Sequence, residues 1–60
     1  MFKVLVQKKE TSFGDVVRLF TLHKEDGTKS YQVEVESCGI ASRKNFTRAS
    51  DALAIYQIAA

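Results

Sequence analysis

The sequence contains no proline, no tryptophan and a single cysteine, Cys38. Because proline is absent, no residue is barred from the interior of a strand or a helix. One cysteine excludes an intramolecular disulfide framework, so the chain does not follow the pattern of small secreted domains that depend on disulfides. A reducing compartment, the cytoplasm, is therefore the expected location.

Residues that carry catalysis or hold metals are also scarce. His23 is the only histidine, and no motif places it beside Cys38, so a nucleophile and base pair is not expected. One histidine and one cysteine fall short of the three or four ligands of a zinc site. The three glycines, at positions 14, 27 and 39, are spaced as turn residues and match no phosphate-binding loop. We therefore expect a protein that is not an enzyme, with no cofactor, no metal and no small-molecule substrate.

The chain has 60 residues, which leaves room for one core, so residues 1–60 are expected to form a single domain. No segment approaches the run of about 20 apolar residues that spans a bilayer. The N-terminal residues also lack the apolar core of a signal peptide. Association with a membrane and export are therefore not expected.

Apolar alternation, interrupted by turn signals, predicts the strands. Residues 2–7 alternate, with Phe2, Val4 and Val6 on one side and Lys3, Leu5 and Gln7 on the other. Residues 16–23 are typical of a largely buried strand. Asp26-Gly27 predicts a two-residue hairpin loop to a third strand over residues 31–36. A turn at Ser37-Cys38-Gly39 precedes a possible fourth strand over residues 40–46.

A helix is predicted over residues 49–60, capped by Thr47 or Ser50 and with Asp51 in its first turn. The side chains expected to form the core between helix and sheet are Val33, Val35, Phe46, Ala52, Ile55, Tyr56 and Ala59. The predicted class is α+β, an antiparallel sheet of three to four strands with one C-terminal helix packed on one face.

The helix carries more apolar side chains than one sheet can cover. Leu53 and Ile58 flank the core-facing stripe, and Leu53, Ile55 and Ile58 are the candidate protein interface. Since most soluble oligomers are symmetric, a homodimer or another protein partner is expected on this side. Ile58→Lys is then expected to weaken association without unfolding the monomer.

Basic residues form a second candidate surface, for nucleic acid. The net charge is only +2, which is weak support for phosphate binding. The candidate contacts are Lys8, Lys9, Arg43, Lys44 and Arg48. Strand alternation also places Arg43 beside Glu34 and Glu36, and cross-strand ion pairing is the favoured interpretation of this arginine.

From Tyr31 onward the chain has an alternating strand, the Cys38-Gly39 turn, the basic strand Ser42 to Phe46, and a helix. This order resembles the sheet and helix of the apetala-type DNA-binding domain and of the arm-binding domains of phage integrases. It is also similar to many short stand-alone bacteriophage proteins, some of which inhibit host enzymes or defence complexes. The first resemblance implies that the exposed sheet face reads DNA, and the second implies a protein target in the host cytoplasm.

The sequence as a whole favours a non-catalytic protein, encoded by a phage or mobile element, that binds and modulates a host or cognate protein. A small DNA-binding domain is the alternative, and a structural or virion-associated subunit is a third interpretation. Glu34 and Glu36 weigh against DNA, because carboxylates on the face that would read bases repel phosphate.

Overall fold

A computed structural model describes residues 1–59 as a four-stranded antiparallel sheet with one helix packed against it. The elements are β1 Phe2–Glu10, β2 Val16–His23, β3 Lys29–Ser37, β4 Ile40–Phe46 and α1 Ala49–Ile58. Neighbours in sequence are neighbours in the sheet, in the order β1-β2-β3-β4. The predicted α+β class is confirmed, and the possible fourth strand is present with the bounds expected for it.

The core lies between α1 and the sheet, where Val17 and Ala52 are completely covered. The buried residues are Val17, Leu19, Val33, Ala52 and Tyr56, and the partly buried residues packed against them are Tyr31, Val35, Phe46, Ile55 and Ala59. The predicted helix stripe is therefore confirmed. Within residues 1–59, α1 packs on β2, β3 and β4, but its backbone does not come close to that of β1. One edge strand is left outside the cover of the helix.

β1 contains a β-bulge that the sequence pattern did not indicate. Leu5 and Gln7 pair with successive residues of β2, so Val6 is an extra residue in the ladder. Gln7 consequently lies on the same face as Val4. The predicted placement of Gln7 on the opposite face is wrong, because one inserted residue reverses the side of every later side chain.

The loop from β2 to β3 is longer than the predicted two-residue hairpin. The Lys24 N–H donates to the Thr28 carbonyl at 3.0 Å, and the Gly27 N–H donates to the Lys24 carbonyl at 3.1 Å. Gly27 has a φ of 87°, and the Asp26 carboxylate accepts from the Thr28 N–H at 3.0 Å. Gly27 thus takes the left-handed position that follows a tight turn, which opens the hairpin to residues 24–28.

α1 begins at Ala49, and the predicted side-chain caps are wrong. Arg48 is the N-cap residue, with an extended backbone and no side-chain cap hydrogen bond among the described residues. Thr47 precedes the cap position and Ser50 already lies in the first turn, so neither side chain is placed to cap. The helix ends at Ile58, and Ala60 of the predicted range lies outside the described residues. No helix within residues 1–59 is long and apolar enough to cross a membrane.

The two-residue turn from β3 to β4 holds Cys38 at a φ of 52° and Gly39 at a φ of 79°. Both positive angles are those of a type I′ turn, in which asparagine is the favoured first residue.

We expect Cys38→Asn to raise the free energy of unfolding by about 1 kcal/mol, since asparagine tolerates the left-handed region better. Urea denaturation measures this, with Cys38→Ser as the control that removes the thiol and keeps the strain. Equal stability of the two variants would contradict the assignment.

Candidate functional site

The three residues of the predicted helix interface do not form one patch. Leu53 is 37% exposed and Ile58 is 74% exposed, whereas Ile55 is half-buried and packs against the core. Five helix positions at about 100° each place Leu53 and Ile58 about 140° apart around the axis. They therefore lie on opposite flanks of α1, and a partner on one flank does not contact the other.

Leu53 lines a groove between α1 and β1. The groove has a volume of about 210 Å³. Its lining residues are Val6 and Gln7 of β1, Ala49 and Leu53 of α1, and Leu19, Thr21 and Tyr31 of the two central strands. None of these lining residues is charged. The groove is therefore an apolar site that remains because α1 does not extend over β1.

β1 exposes apolar side chains on both of its faces. Phe2 is 63% exposed and Val6 is 51% exposed, and Val4 and Leu5 are also exposed. The strand register places Val4 on the helix face and Leu5 on the opposite face. Apolar side chains concentrated in this way on a small protein mark a contact surface more often than scattered ones do. The sequence predicted this strand but not its exposed contact surface, although Leu5 on its otherwise polar side was a signal.

The outer edge of β1 has no partner strand within the described part of the chain. Alternate residues of such an edge direct their backbone N–H and C=O groups away from the sheet, where another strand can pair with them. The bulge at Val6 and the lysines Lys8 and Lys9 protect the second half of the edge. The open part is therefore Phe2 to Val6. We call this open edge, together with Val4, Leu5, Val6 and Leu53, the β1 edge surface.

Lysines of β1 lie beside the β1 edge surface, and the ammonium groups of Lys3 and Lys9 lie over neighbouring elements, with that of Lys3 also donating to Gln32 Oε1 at 3.2 Å. The Lys3 ammonium lies 4.2 Å from the centre of the Phe20 ring, and the Lys9 ammonium lies 4.6 Å from that of Tyr56. Among residues 1–59, none of Lys3, Lys8 and Lys9 forms a salt bridge with a carboxylate. The surface is therefore apolar at its centre and has positive charge beside it.

The sheet face without the helix carries a network of ion pairs. Glu34 accepts from Arg18 at 3.0 Å and from Arg43 at 2.7 Å, and Arg18 also donates to Glu36 at 3.0 Å. Only 7% of Glu34 is exposed, because two guanidinium groups cover it. The predicted pairing of Arg43 with a neighbouring glutamate is confirmed. The salt bridges of Arg18 with Glu34 and Glu36 were not predicted.

Two opposed effects act on the pKa of Glu34. Burial raises the pKa, but the hydrogen bonds and positive charges of Arg43 and Arg18 outweigh it and hold the pKa below its ordinary value. Hydrogen bonding to Glu36 is the main reason why the pKa of Arg18 is raised. Glu34 and Arg18 are therefore ionised at neutral pH.

The five basic candidates for nucleic-acid contact are divided between the two faces of the sheet. Lys8 and Arg43 lie on the face without the helix, Lys9 and Lys44 lie on the helix face, and Arg48 is the helix N-cap. Three strand spacings, about 14 Å in all, separate the edge strands β1 and β4. Arg43 is in addition bound by the covered glutamate of the ion-pair network. These residues do not form one continuous basic surface.

His23 and Cys38 lie at opposite ends of the sheet. The His23 ring stacks on that of Phe2, with centroids 4.6 Å apart and planes inclined by 14°. His23 pairs with the first residue of β3 and Cys38 follows its last, so about 25 Å of strand separates them. Residues 1–59 contain no group of three or more histidine, cysteine or acidic side chains placed to hold a metal.

No known protein family, curated protein sequence or solved structure matches this chain. The resemblances to apetala-type domains and to short phage proteins stay predictions. Function is therefore inferred from the geometry of residues 1–59.

Proposed function

We propose that this protein is a small non-catalytic binding protein that attaches to another protein through the β1 edge surface. The observation that carries the proposal is the set of exposed apolar side chains, Val4, Leu5, Val6 and Leu53, beside an unpaired strand edge. An exposed edge with apolar side chains pairs readily with another chain. The similarity in element order to short phage proteins supports a host or cognate protein as the partner, bound in the cytoplasm and modulated by the binding.

A second hollow in the described residues, larger than the groove between α1 and β1, offers no pair of catalytic groups. It has a volume of about 320 Å³ and lies near the loop between β2 and β3. The only charged side chain that lines it is Lys24, and its other lining residues are Met1, Leu22, Ser30, Asn45, Phe46 and Thr47. Acid and base catalysis needs titratable groups within hydrogen-bond reach of one another, and this hollow offers no such pair.

The alternative, a small DNA-binding domain of apetala-type architecture, has less support. Arg43 is held by Glu34, and Arg18 is held by Glu34 and Glu36, so neither guanidinium of this face is free to bind phosphate. Base contacts in the major groove require close approach to phosphate, which these carboxylates oppose. Steep weakening of nucleic-acid binding with salt would be the sign of this function.

The proposal predicts different effects of a lysine on the two flanks of α1. Leu53→Lys places a charge in the β1–α1 groove and is expected to weaken partner binding by at least about tenfold, since burying an unpaired charge is costly. Ile58→Lys is the matched control, because Ile58 lies on the opposite flank and is expected to leave binding unchanged. The amount of partner that co-purifies with each tagged variant, identified by mass spectrometry, measures the effect.

Circular dichroism must first show that both variants fold like the wild type. Loss of the partner from Ile58→Lys alone would move the interface to the other flank of α1. Full retention of the partner by Leu53→Lys would refute a contact at the β1 edge surface.

A further inference from the structure

We propose that the β1 edge surface binds an extended segment of the partner in which apolar and acidic residues alternate, and that this segment adds a fifth strand to the sheet. This inference rests on the proposed protein-binding function and specifies the chemistry of the partner. It follows from three features of β1. Its outer edge is unpaired, one of its faces is apolar while the other carries lysines, and those lysines form no salt bridge among residues 1–59.

The unpaired edge provides the backbone contacts. A chain in extended conformation can pair with the outward N–H and C=O groups of β1 at the usual strand spacing, which is how edge strands recognise peptides. The bulge at Val6 interrupts the regular ladder, so the segment pairs chiefly with Phe2 to Val6. Main-chain pairing of this kind supplies affinity, and the side chains on the two faces supply specificity.

The helix face selects apolar residues. A strand placed beside β1 has every second side chain on this face, next to Val4 and Val6 and opposite Leu53 across the groove. The residues that line the groove are uncharged and mostly apolar. Burial of a carboxylate there would leave it without a partner, whereas burial of a valine or leucine removes apolar surface from water.

The opposite face selects acidic residues. The strand register places Lys3 and Lys8 on this face, with Leu5 between them. Neither lysine forms a salt bridge among residues 1–59, and the only carboxylate in β1 is Glu10 at its end. Opposite charges on directly facing strand positions attract, so a carboxylate of the bound segment pairs with Lys3, and a further carboxylate lies near Lys8 beyond the bulge.

Two other occupants fit the charge and the chemistry less well. A second copy paired antiparallel about Val4, the middle of the open part, sets Lys3 opposite Leu5 and brings no carboxylate to face Lys3 or Lys8. Single-stranded nucleic acid binds on open aromatic rings. The Phe2 ring is stacked on His23, the Phe20 ring lies under Lys3, and the centre of the surface is aliphatic.

Synthetic peptides test the inference with defined probes. A blocked peptide of alternating valine and glutamate, about ten residues long, is compared with one of alternating valine and lysine and with a valine-glutamate peptide that has a central proline. NMR titration is expected to show saturable shifts of β1 amides, and none of comparable size in β4, with the valine-glutamate peptide. The other two peptides are expected to bind at least about tenfold more weakly, which corresponds to about 1.4 kcal/mol.

Charge reversal provides the matched control. The double variant Lys3→Glu, Lys8→Glu is expected to lose the valine-glutamate peptide and to gain the valine-lysine peptide. Lys44→Glu, on the opposite edge of the sheet, is expected to change neither. Equal binding of both peptides by the wild type, amide shifts centred on β4, or tighter binding of an oligothymidylate than of the acidic peptide would overturn the inference.

Analytical ultracentrifugation tests whether a second copy of the chain occupies the β1 edge surface. A wild type that forms a dimer lost in Leu53→Lys would show that a second copy occupies the surface, and would overturn the inference. Failure of all peptides while Leu53→Lys still loses its cellular partner would refute the acidic strand and leave the proposed function standing. Retention of that partner by Leu53→Lys would instead refute the proposed function.

Discussion

Tyr56→Ala is expected to remove a large part of the free energy of unfolding. Tyr56 is 5% exposed and lies in the core that joins α1 to the sheet. Removal of a buried aromatic side chain costs about 3–5 kcal/mol, because apolar burial is lost and a cavity remains. A domain of this size has a free energy of unfolding of only about 3–9 kcal/mol, at the usual 0.05–0.15 kcal/mol per residue.

Thermal and urea denaturation followed by circular dichroism measure this loss. Gln57→Ala is the control, since Gln57 is the exposed neighbour of Tyr56 on the same helix and is expected to change stability by less than about 0.5 kcal/mol. If Tyr56→Ala melts within a few degrees of Gln57→Ala, then α1 does not depend on this side chain for its position on the sheet.

Glu34→Gln is expected to lower the free energy of unfolding by about 1–2 kcal/mol at neutral pH, since a carboxylate that holds two arginines is replaced by a neutral amide. The expected loss of stability is modest because the side chains of Arg18 and Arg43 are 24% and 54% exposed, so water screens their charges. Glu36→Gln is the control. The Glu36 carboxylate forms a salt bridge with Arg18 and is more exposed than that of Glu34, so its loss is expected to cost less.

The loss at Glu34 is expected to depend on pH in a definite direction. The pKa of Glu34 is lower in the folded protein than its ordinary value, so the unfolded chain takes up the proton first as pH falls. The stabilising contribution is therefore complete above the ordinary glutamate pKa of about 4.3 and disappears as pH falls through the lower pKa of the folded protein.

Urea titrations of wild type and Glu34→Gln at a series of pH values measure the difference in free energy of unfolding. The two proteins should converge at acid pH. If the difference stays as large at a pH well below the ordinary glutamate pKa as it is at neutral pH, the charge of Glu34 is not the stabilising feature.

Local periodicity in the sequence determined the elements and most of the core. β2 and β4 have the bounds that apolar alternation predicted, and α1 buries Ala52 and Tyr56 as its apolar spacing indicated. These features depend on residues close together in the chain, because side chains return to the same face every two residues in a strand and every 3.6 residues in a helix. The pairing of Arg43 with Glu34 was also predictable, because it needs only alternation on two adjacent strands joined by a short turn.

Only the tertiary structure decided which surfaces are exposed. Phe2, Val4 and Val6 alternate as in any predicted strand, yet α1 packs on the other three strands and leaves β1 open. The extra residue at Val6 likewise has no local signal, and it decides the face of every later residue of β1. The position of a helix across a sheet is set by contacts between residues far apart in the chain, such as Val17 with the α1 residues Ala52 and Tyr56. The apolar pattern of β1 is the same whether a helix, a partner strand or water lies against it, so the sequence by itself could not locate the β1 edge surface.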